Sequence, residues 1–238
     1  SSPPSVQNAG TAIGVKVHLV DTLWNTVDDS TPTVRVESND PADYTVLGAT
    51  KVLSGGYSQW TSGERIKLYN ARPQAALRAK NMDAPGSTYT DGVSSTFTVN
   101  AGSPARLIAL LPDQTPAAGR WHSPAAPNRP VAPNGTSLAF DGLEGGKTGT
   151  AFSSSGSPKA GEPFTVTVVA ADSYWNPVSS DTAVTLTPVK PAGAAGDITQ
   201  PRTQQLLAGT TQFTYSLRAA VSGWKLQATA GALPAYDT

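Results

Sequence analysis

The sequence predicts an all-β chain built as two tandem β-sandwich domains. Three observations carry this: a phrase that occurs twice at constant displacement, short runs of alternating apolar and polar residues, and turn-forming residues between the runs. Ala9-Gly10-Thr11-Ala12-Ile13-Gly14-Val15-Lys16-Val17, followed by Asp21, Trp24, Asn25 and Val27, returns as Ala160-Gly161-Glu162-Pro163-Phe164-Thr165-Val166-Thr167-Val168, followed by Asp172, Trp175, Asn176 and Val178. A catalytic site is needed once, whereas a spacer or adhesive module gains by repetition, so the duplication argues for architecture before chemistry.

Taken in order, Ile13, Val15, Val17 and Leu19 alternate with Gly14, Lys16 and His18, and Phe164, Val166, Val168 and Ala170 with Thr165, Thr167 and Val169. A period of two sets one face against a core, so each run is a half-buried strand. The Asp-x-x-Trp-Asn-x-Val that follows reads as a structural turn, made of Asp21, Trp24 and Asn25 in one copy and Asp172, Trp175 and Asn176 in the other. Asp and Asn hydrogen-bond nearby backbone and tolerate left-handed geometry, so the chain reverses before Val34 and Val36, or Val184 and Leu186, open the next strand. Trp24 and Trp175, at equivalent places, are expected to cap the open end of each core.

Beyond the turn, Ile66, Leu68, Leu77 and Ala79 match Tyr215, Leu217, Leu226 and Ala228 at a slightly shorter displacement, which requires insertions or deletions in the loops between. Thr96-Phe97-Thr98-Val99 closes the first copy and Ala105 to Leu111 opens the second, which places the boundary near Gly102. The domains are therefore 1–102 and 103–238, the second with an insertion over about 112–159 rich in Pro, Gly, Ala and Ser. Treating that stretch as an interdomain linker is the rival division. Asp237-Thr238 align with Thr88-Tyr89, so the second copy has no counterpart of Thr96 to Val99, and Ser1 to Pro4 offer none of Ala105 to Leu111. A piece of a longer array is the plain expectation, and a sheet edge filled by a strand from outside its own compact unit is the hypothesis it raises.

Composition closes several functional classes. Lys plus Arg equals Asp plus Glu at 17 each, evenly spread, so no basic face points to nucleic acid or an anionic membrane. The chain has no cysteine, which excludes disulfides, thiolate metal sites and cysteine nucleophiles. Charged residues are only 14% of the chain, a balance typical of β-rich secreted proteins. No run reaches the roughly 18 apolar residues of a membrane span, so no membrane insertion is expected.

The order of motifs resembles the bacterial immunoglobulin-like repeats of large surface proteins, the invasin- and intimin-like modules and their filamin-like relatives. Those repeats often carry Asp-x-x-Gly-Asn-Pro-Val at the turn; Tyr174-Trp175-Asn176-Pro177-Val178 keeps Asn-Pro-Val with Trp in place of Gly, and Thr26 replaces the Pro in the first copy. The resemblance covers both copies and implies two immunoglobulin-like sandwiches, extracellular or cell-surface, non-enzymatic and modular.

Candidate chemistry is sparse. His18 lies on the polar phase of its strand and His122 in the insertion, with no pattern joining either to a serine and an acid, so no catalytic residue is assigned. Gly142 to Thr148 is a faint likeness of a phosphate loop, but Asp141 stands where its first glycine belongs. Asp28-Asp29 and Asp40 to Asp43 fit no calcium-loop spacing and read as solvated turns, so neither metal nor cofactor is expected. Tyr57 and Trp60, in an apparent loop insertion of the first copy, are the best place for a sugar-stacking platform. Asn134-Gly135-Thr136 is a glycosylation sequon by pattern. The expected function is a structural or adhesive module, a segment of a repetitive surface protein or a subunit of an extracellular fibre. Its partners are neighbouring copies or repeats, with strand donation among the means, or a surface glycan or protein ligand. The alternative is a carbohydrate-binding accessory module.

Overall fold

The computed structural model describes residues 4–28, 30–39, 50–61, 66–83, 88–119, 146–192, 194, 200–231 and 233–237. It is all-β, with no α-helix among the described residues. No helix there is long and apolar enough to cross a membrane. The chain divides into two compact units, whose described residues run up to Asn100 in the first and from Ala101 onward in the second.

The first unit runs β1 (Gln7–Asn8), β2 (Val15–His18), β3 (Thr33–Ser38), β4 (Lys51–Val52), β5 (Tyr57–Trp60), β6 (Arg72–Ala75), β7 (Leu77–Asn81), β8 (Gly92–Val93) and β9 (Phe97–Asn100). Its sheets are ordered β4-β3-β7-β8, β2-β5 and β1-β9-β6, with β1 and β9 parallel. In the second unit β10 (Arg106–Leu110), β13 (Pro163–Ala171) and β16 (Thr210–Ser216) form one sheet. Opposite lies the sheet β15-β14-β17-β18, made of Arg202–Gln205, Ala183–Val189, Lys225–Ala230 and Leu233–Asp237.

Alternation along each strand builds the second unit's core. Leu107, Ala109, Val166, Val168, Ala170, Phe213 and Tyr215 from one sheet meet Val184, Leu186, Leu226 and Ala228 from the other. Thr185 and Thr187 stand on the opposite phase of β14 and are partly exposed. The outer face of β10 and β13 is buried too: Ile108, Leu110, Val169 and Ala171 gather around Trp175. That is why Val169, on the predicted polar phase, is a valine.

The two units share one frame. The order β4-β3-β7-β8 repeats as β15-β14-β17-β18, and β2-β5 as β13-β16. Ile13 N–H donates to the Ile66 carbonyl at 2.8 Å where Phe164 pairs with Tyr215, and Gly10 N–H donates to Leu68 as Gly161 does to Leu217, both at 2.8 Å. A tight reversal precedes β5 and β16 alike: a Cβ on Gly56 would lie 2.6 Å from the Val27 carbonyl, and one on Gly209 would lie 1.9 Å from the Val178 carbonyl. Both glycines have φ near +80°, at 75° and 87°, so only glycine fits.

Two sequence expectations are amended. Gly102 belongs to the second unit, because its N–H donates to Asp172 Oδ2 at 2.8 Å. Asp237 pairs with Gln227 as Val93 pairs with Arg78, so it corresponds to Val93 and not to Thr88; the turn between β17 and β18 is shorter than that between β7 and β8. The insertion is also tied down at both ends. Its β11 (Thr115–Pro116) pairs with β12 (Lys147–Thr148), and Asp113 accepts from Ser154 N–H at 2.8 Å and Ser154 Oγ at 2.7 Å. Phe152 meets Phe164 edge to face, centroids 5.5 Å apart.

Candidate functional site

The repeated turn is closed by the same set of hydrogen bonds in both units. Asp21 Oδ1 accepts from the backbone N–H groups of Leu23 and Asn25, each at 2.8 Å, and Oδ2 accepts from the Asn25 side-chain amide at 2.9 Å. Asp172 does the same: Oδ1 accepts from Tyr174 and Asn176 N–H at 2.8 and 3.0 Å, and Oδ2 from the Asn176 amide at 2.9 Å. The backbone closes identically, Asp N–H to Asn carbonyl at 2.9 Å in both copies and Trp N–H to Asp carbonyl at 3.1 and 3.2 Å. Asp21 is thus directed into its own turn, and Asp172 into its own turn and onto Gly102 N–H; the Asn25 amide, with the turn's backbone N–H groups, holds Asp21 below its ordinary carboxylate value.

The residue that takes left-handed geometry is the tryptophan, with φ 67° at Trp24 and 66° at Trp175. The sequence reading assigned that tolerance to Asp and Asn, whose role is to hold the turn by hydrogen bonds. A side chain in this region costs about 1–2 kcal/mol relative to glycine.

The two tryptophans part company in their surroundings. Trp175 is 5% exposed, packed among Ile108, Leu110, Val169 and Ala171, with the Arg106 guanidinium 4.7 Å from its ring. Gly146 seals it, since a Cβ there would lie 2.5 Å from the indole. Trp24 is 84% exposed. The expectation that both rings cap a core therefore fails for Trp24. The physical reason is β10: it lies along the outer edge of β13 from Arg106↔Ala171 to Leu110↔Thr167, whereas no described strand pairs with the corresponding edge of β2. That edge borders a cleft of about 450 Å³ lined by Ile13, Val15, Val17, Trp24, Val93 and Phe97. The same difference leaves Asp21 and Asn25 exposed while Asp172 and Asn176 are buried.

The proposed sugar platform is dismantled. Tyr57 pairs with His18 and Trp60 with Val15, so the two aromatics point to opposite faces of β5. Trp60 is fully buried and occupies the place of Phe213, which pairs with Val166 in the same register. It is a core residue, and β5 is not an insertion but the counterpart of β16. Tyr57, 45% exposed, stacks on His18 at 5.8 Å with the Lys16 ammonium 4.2 Å from its ring. A shared Gly-x-Ser/Thr-Gln-aromatic pattern, Gly56 to Trp60 and Gly209 to Phe213, carried the signal that matching Ile66 to Tyr215 alone overlooked.

Asn134, His122, Trp121, Asp29 and Asp40 to Asp43 lie outside the described residues. Among the described residues no group of three or more His, Cys, Asp or Glu is placed to hold a metal ion. In the faint phosphate-loop likeness, Lys147 and Thr148 form strand β12, and burial pushes the Lys147 ammonium below its ordinary value.

No family profile matches the sequence, and no curated protein does. Among solved structures, one similar chain is the apo form of Bacteroides uniformis β-glucuronidase 3, at 11% identity and a TM-score of 0.31. The alignment covers 99% of this chain and only 23% of the glucuronidase, and a score this low supports neither a shared fold nor a shared activity.

Proposed function

We propose that the chain is a non-enzymatic structural or adhesive module of the extracellular space or cell surface, a segment of a repetitive surface protein or a subunit of an extracellular fibre. The observation that supports this reading is the repeated turn: within it the acidic and amide side chains bond one another and the local backbone in the same pattern in both units, with Asp172 accepting in addition from Gly102 N–H. Groups committed in that way set the path of the chain from one strand to the next. A duplicated frame on that turn suits a spacer that projects or links something at a distance, and the resemblance to bacterial immunoglobulin-like repeats agrees with it. The alternative, a carbohydrate-binding accessory module, now draws on the exposed rings of Trp24 and Tyr57. Immunogold electron microscopy of the native source tests the proposal. Label on rods or filaments outside the cell is expected, and label confined to the cell interior would overturn it.

A further inference from the structure

We propose that the outward face of the β2-β5 sheet binds an anionic polysaccharide, its carboxylate or sulfate groups held by Lys16 and Lys67 and a sugar ring by Tyr57. The inference rests on the adhesive reading above and names the ligand class which that reading leaves open.

Strand pairing puts these side chains on one face. Lys16 stands opposite Gln59 and His18 opposite Tyr57, and the bridge between Ala12 and Lys67 continues the same phase, since Ala12, Gly14, Lys16 and His18 are every second residue. Val15, paired with the buried Trp60, takes the opposite phase, toward the core. Lys16, His18, Tyr57 and Gln59 are exposed. The Lys16 ammonium lies 4.2 Å from the centre of the Tyr57 ring, on which His18 stacks at 5.8 Å. Beside them Lys51 Nζ donates to the Gln59 carbonyl at 2.7 Å.

None of these positions is acidic. Among the described residues no carboxylate pairs with Lys16, His18 or Lys67. Asp21, three residues past His18, is turned onto the N–H groups of Leu23 and Asn25 and the Asn25 amide. The β4-β3-β7-β8 sheet of the same unit is built differently, with Arg35 paired to Glu37 and Arg78 to Asp91. The second unit does not share the feature: by register, Thr167, Val169, Gln212 and Thr210 hold the places of Lys16, His18, Gln59 and Tyr57, and Ser216 that of Lys67. In a chain of zero formal net charge, one copy of the repeat thus gathers uncompensated ammonium groups on one sheet, a local field that attracts anions. The charges look evenly spread in the sequence because β2 and β5 lie far apart along it.

The neighbours of the cations select among anions. An ammonium has three donors, and its contact with the Tyr57 ring uses none of them in a hydrogen bond to an oxygen, so Lys16 is held in place and still open to an anion. Lys67 lies four residues along the strands from Lys16, about 13 Å at the rise of a β-strand, and Tyr57 lies one alternate position beyond. An extended polymer with an anion on its repeating units spans that distance. A sugar ring lays its C–H face on Tyr57, and its hydroxyls meet the Gln59 amide, which both donates and accepts. A bare run of carboxylates, as in an acidic peptide, matches the charges but uses neither the ring nor the amide.

The test is calorimetric titration of the full chain with dextran sulfate, polygalacturonate and unmodified dextran. Saturable binding of a charged polymer is expected, with none of dextran, and it should weaken as salt rises from about 0.05 to 0.5 M. A Lys16→Gln, Lys67→Gln double variant should bind at least about tenfold more weakly and Tyr57→Ala about threefold, whereas Lys80→Gln, on the β4-β3-β7-β8 sheet, should bind as the parent does. Circular dichroism checks that each variant keeps its strand content; these side chains lie outside the core. Binding of only one of the two charged polymers would support the proposal and assign the anion. No binding of either, undiminished binding by the double variant, an equal loss in Lys80→Gln, or polyglutamate bound as tightly as the polysaccharides would each overturn it, whatever electron microscopy says about where the chain resides.

Discussion

The side-chain amide of Asn176 donates to Asp172 Oδ2 at 2.9 Å with both residues buried, and Asn25 makes the same bond to Asp21 at 2.9 Å in the open. The geometry within the turn is the same while burial differs, and the buried Asp172 Oδ2 keeps a further donor in Gly102 N–H at 2.8 Å. Removing a donor from a buried carboxylate costs about 2–3 kcal/mol, whereas water replaces it at an exposed one for about 1 kcal/mol or less. Asn176→Ala should therefore destabilise the second unit well beyond what Asn25→Ala does to the first. Denaturant melts of the two variants giving equal losses would show that the surroundings of the turn do not matter.

The left-handed tryptophans predict a split of the same kind. Trp175→Gly relieves the backbone but empties a packed site, and should cost about 3–5 kcal/mol. At Trp24 the ring is solvent-exposed, so Gly relieves strain with little lost packing, and stability should change by less than about 1 kcal/mol. Thermal unfolding of both variants checks the contrast, and comparable losses would contradict the exposure of Trp24.

Trp60 is predicted to behave as core. Trp60→Ala should destabilise the first unit by about 3–5 kcal/mol, while Tyr57→Ala leaves it unfolding as before. Titration with soluble neutral polysaccharides should give no fluorescence response. A saturable response lost in a folded Tyr57→Ala or Trp24→Ala chain would favour the accessory-module reading.

Acid should weaken the fold through the carboxylates held low. Asp113 is held below 3.8 by the Ser154 backbone N–H and hydroxyl, and Asp91 by the Asn81 N–H and Arg78. A carboxylate with a depressed native value contributes stability above the unfolded value, and that contribution is lost as pH falls through the native one. The melting temperatures of wild type and Asp113→Asn should differ at about pH 5 and converge as pH drops below the Asp range. A gap that widens in acid would reverse the assignment.

The frame was legible where local chemistry decides it. Alternating Val and Thr in β13 and β14, and the Asp and Asn of the turn, fold as their residue types dictate. What escaped depends on partners distant in the chain. Trp24 and Trp175 sit in matching local sequence, and only β10, arriving from another part of the second unit, makes one a core residue. The identity of Trp60 with Phe213 was hidden because residues 61–65 separate Trp60 from Ile66, whereas Thr214 alone separates Phe213 from Tyr215. Matching the later pair left the earlier one out of register, and the aromatic looked unpaired.

The parallel pairing of β1 with β9 sets how the first unit would answer a pull. β1 lies near the start of that unit and β9 at its end, running side by side in the same direction from Gln7↔Val99 to Asn8↔Asn100. Tension applied to the two ends drags these strands past each other along their length. The hydrogen bonds between them, with the Ala9 to Asn100 bond at 2.8 Å beside them, then carry the force together and in shear, where an antiparallel hairpin pulled from its open end would unzip bond by bond. The unit is wired to resist stretching until it yields all at once.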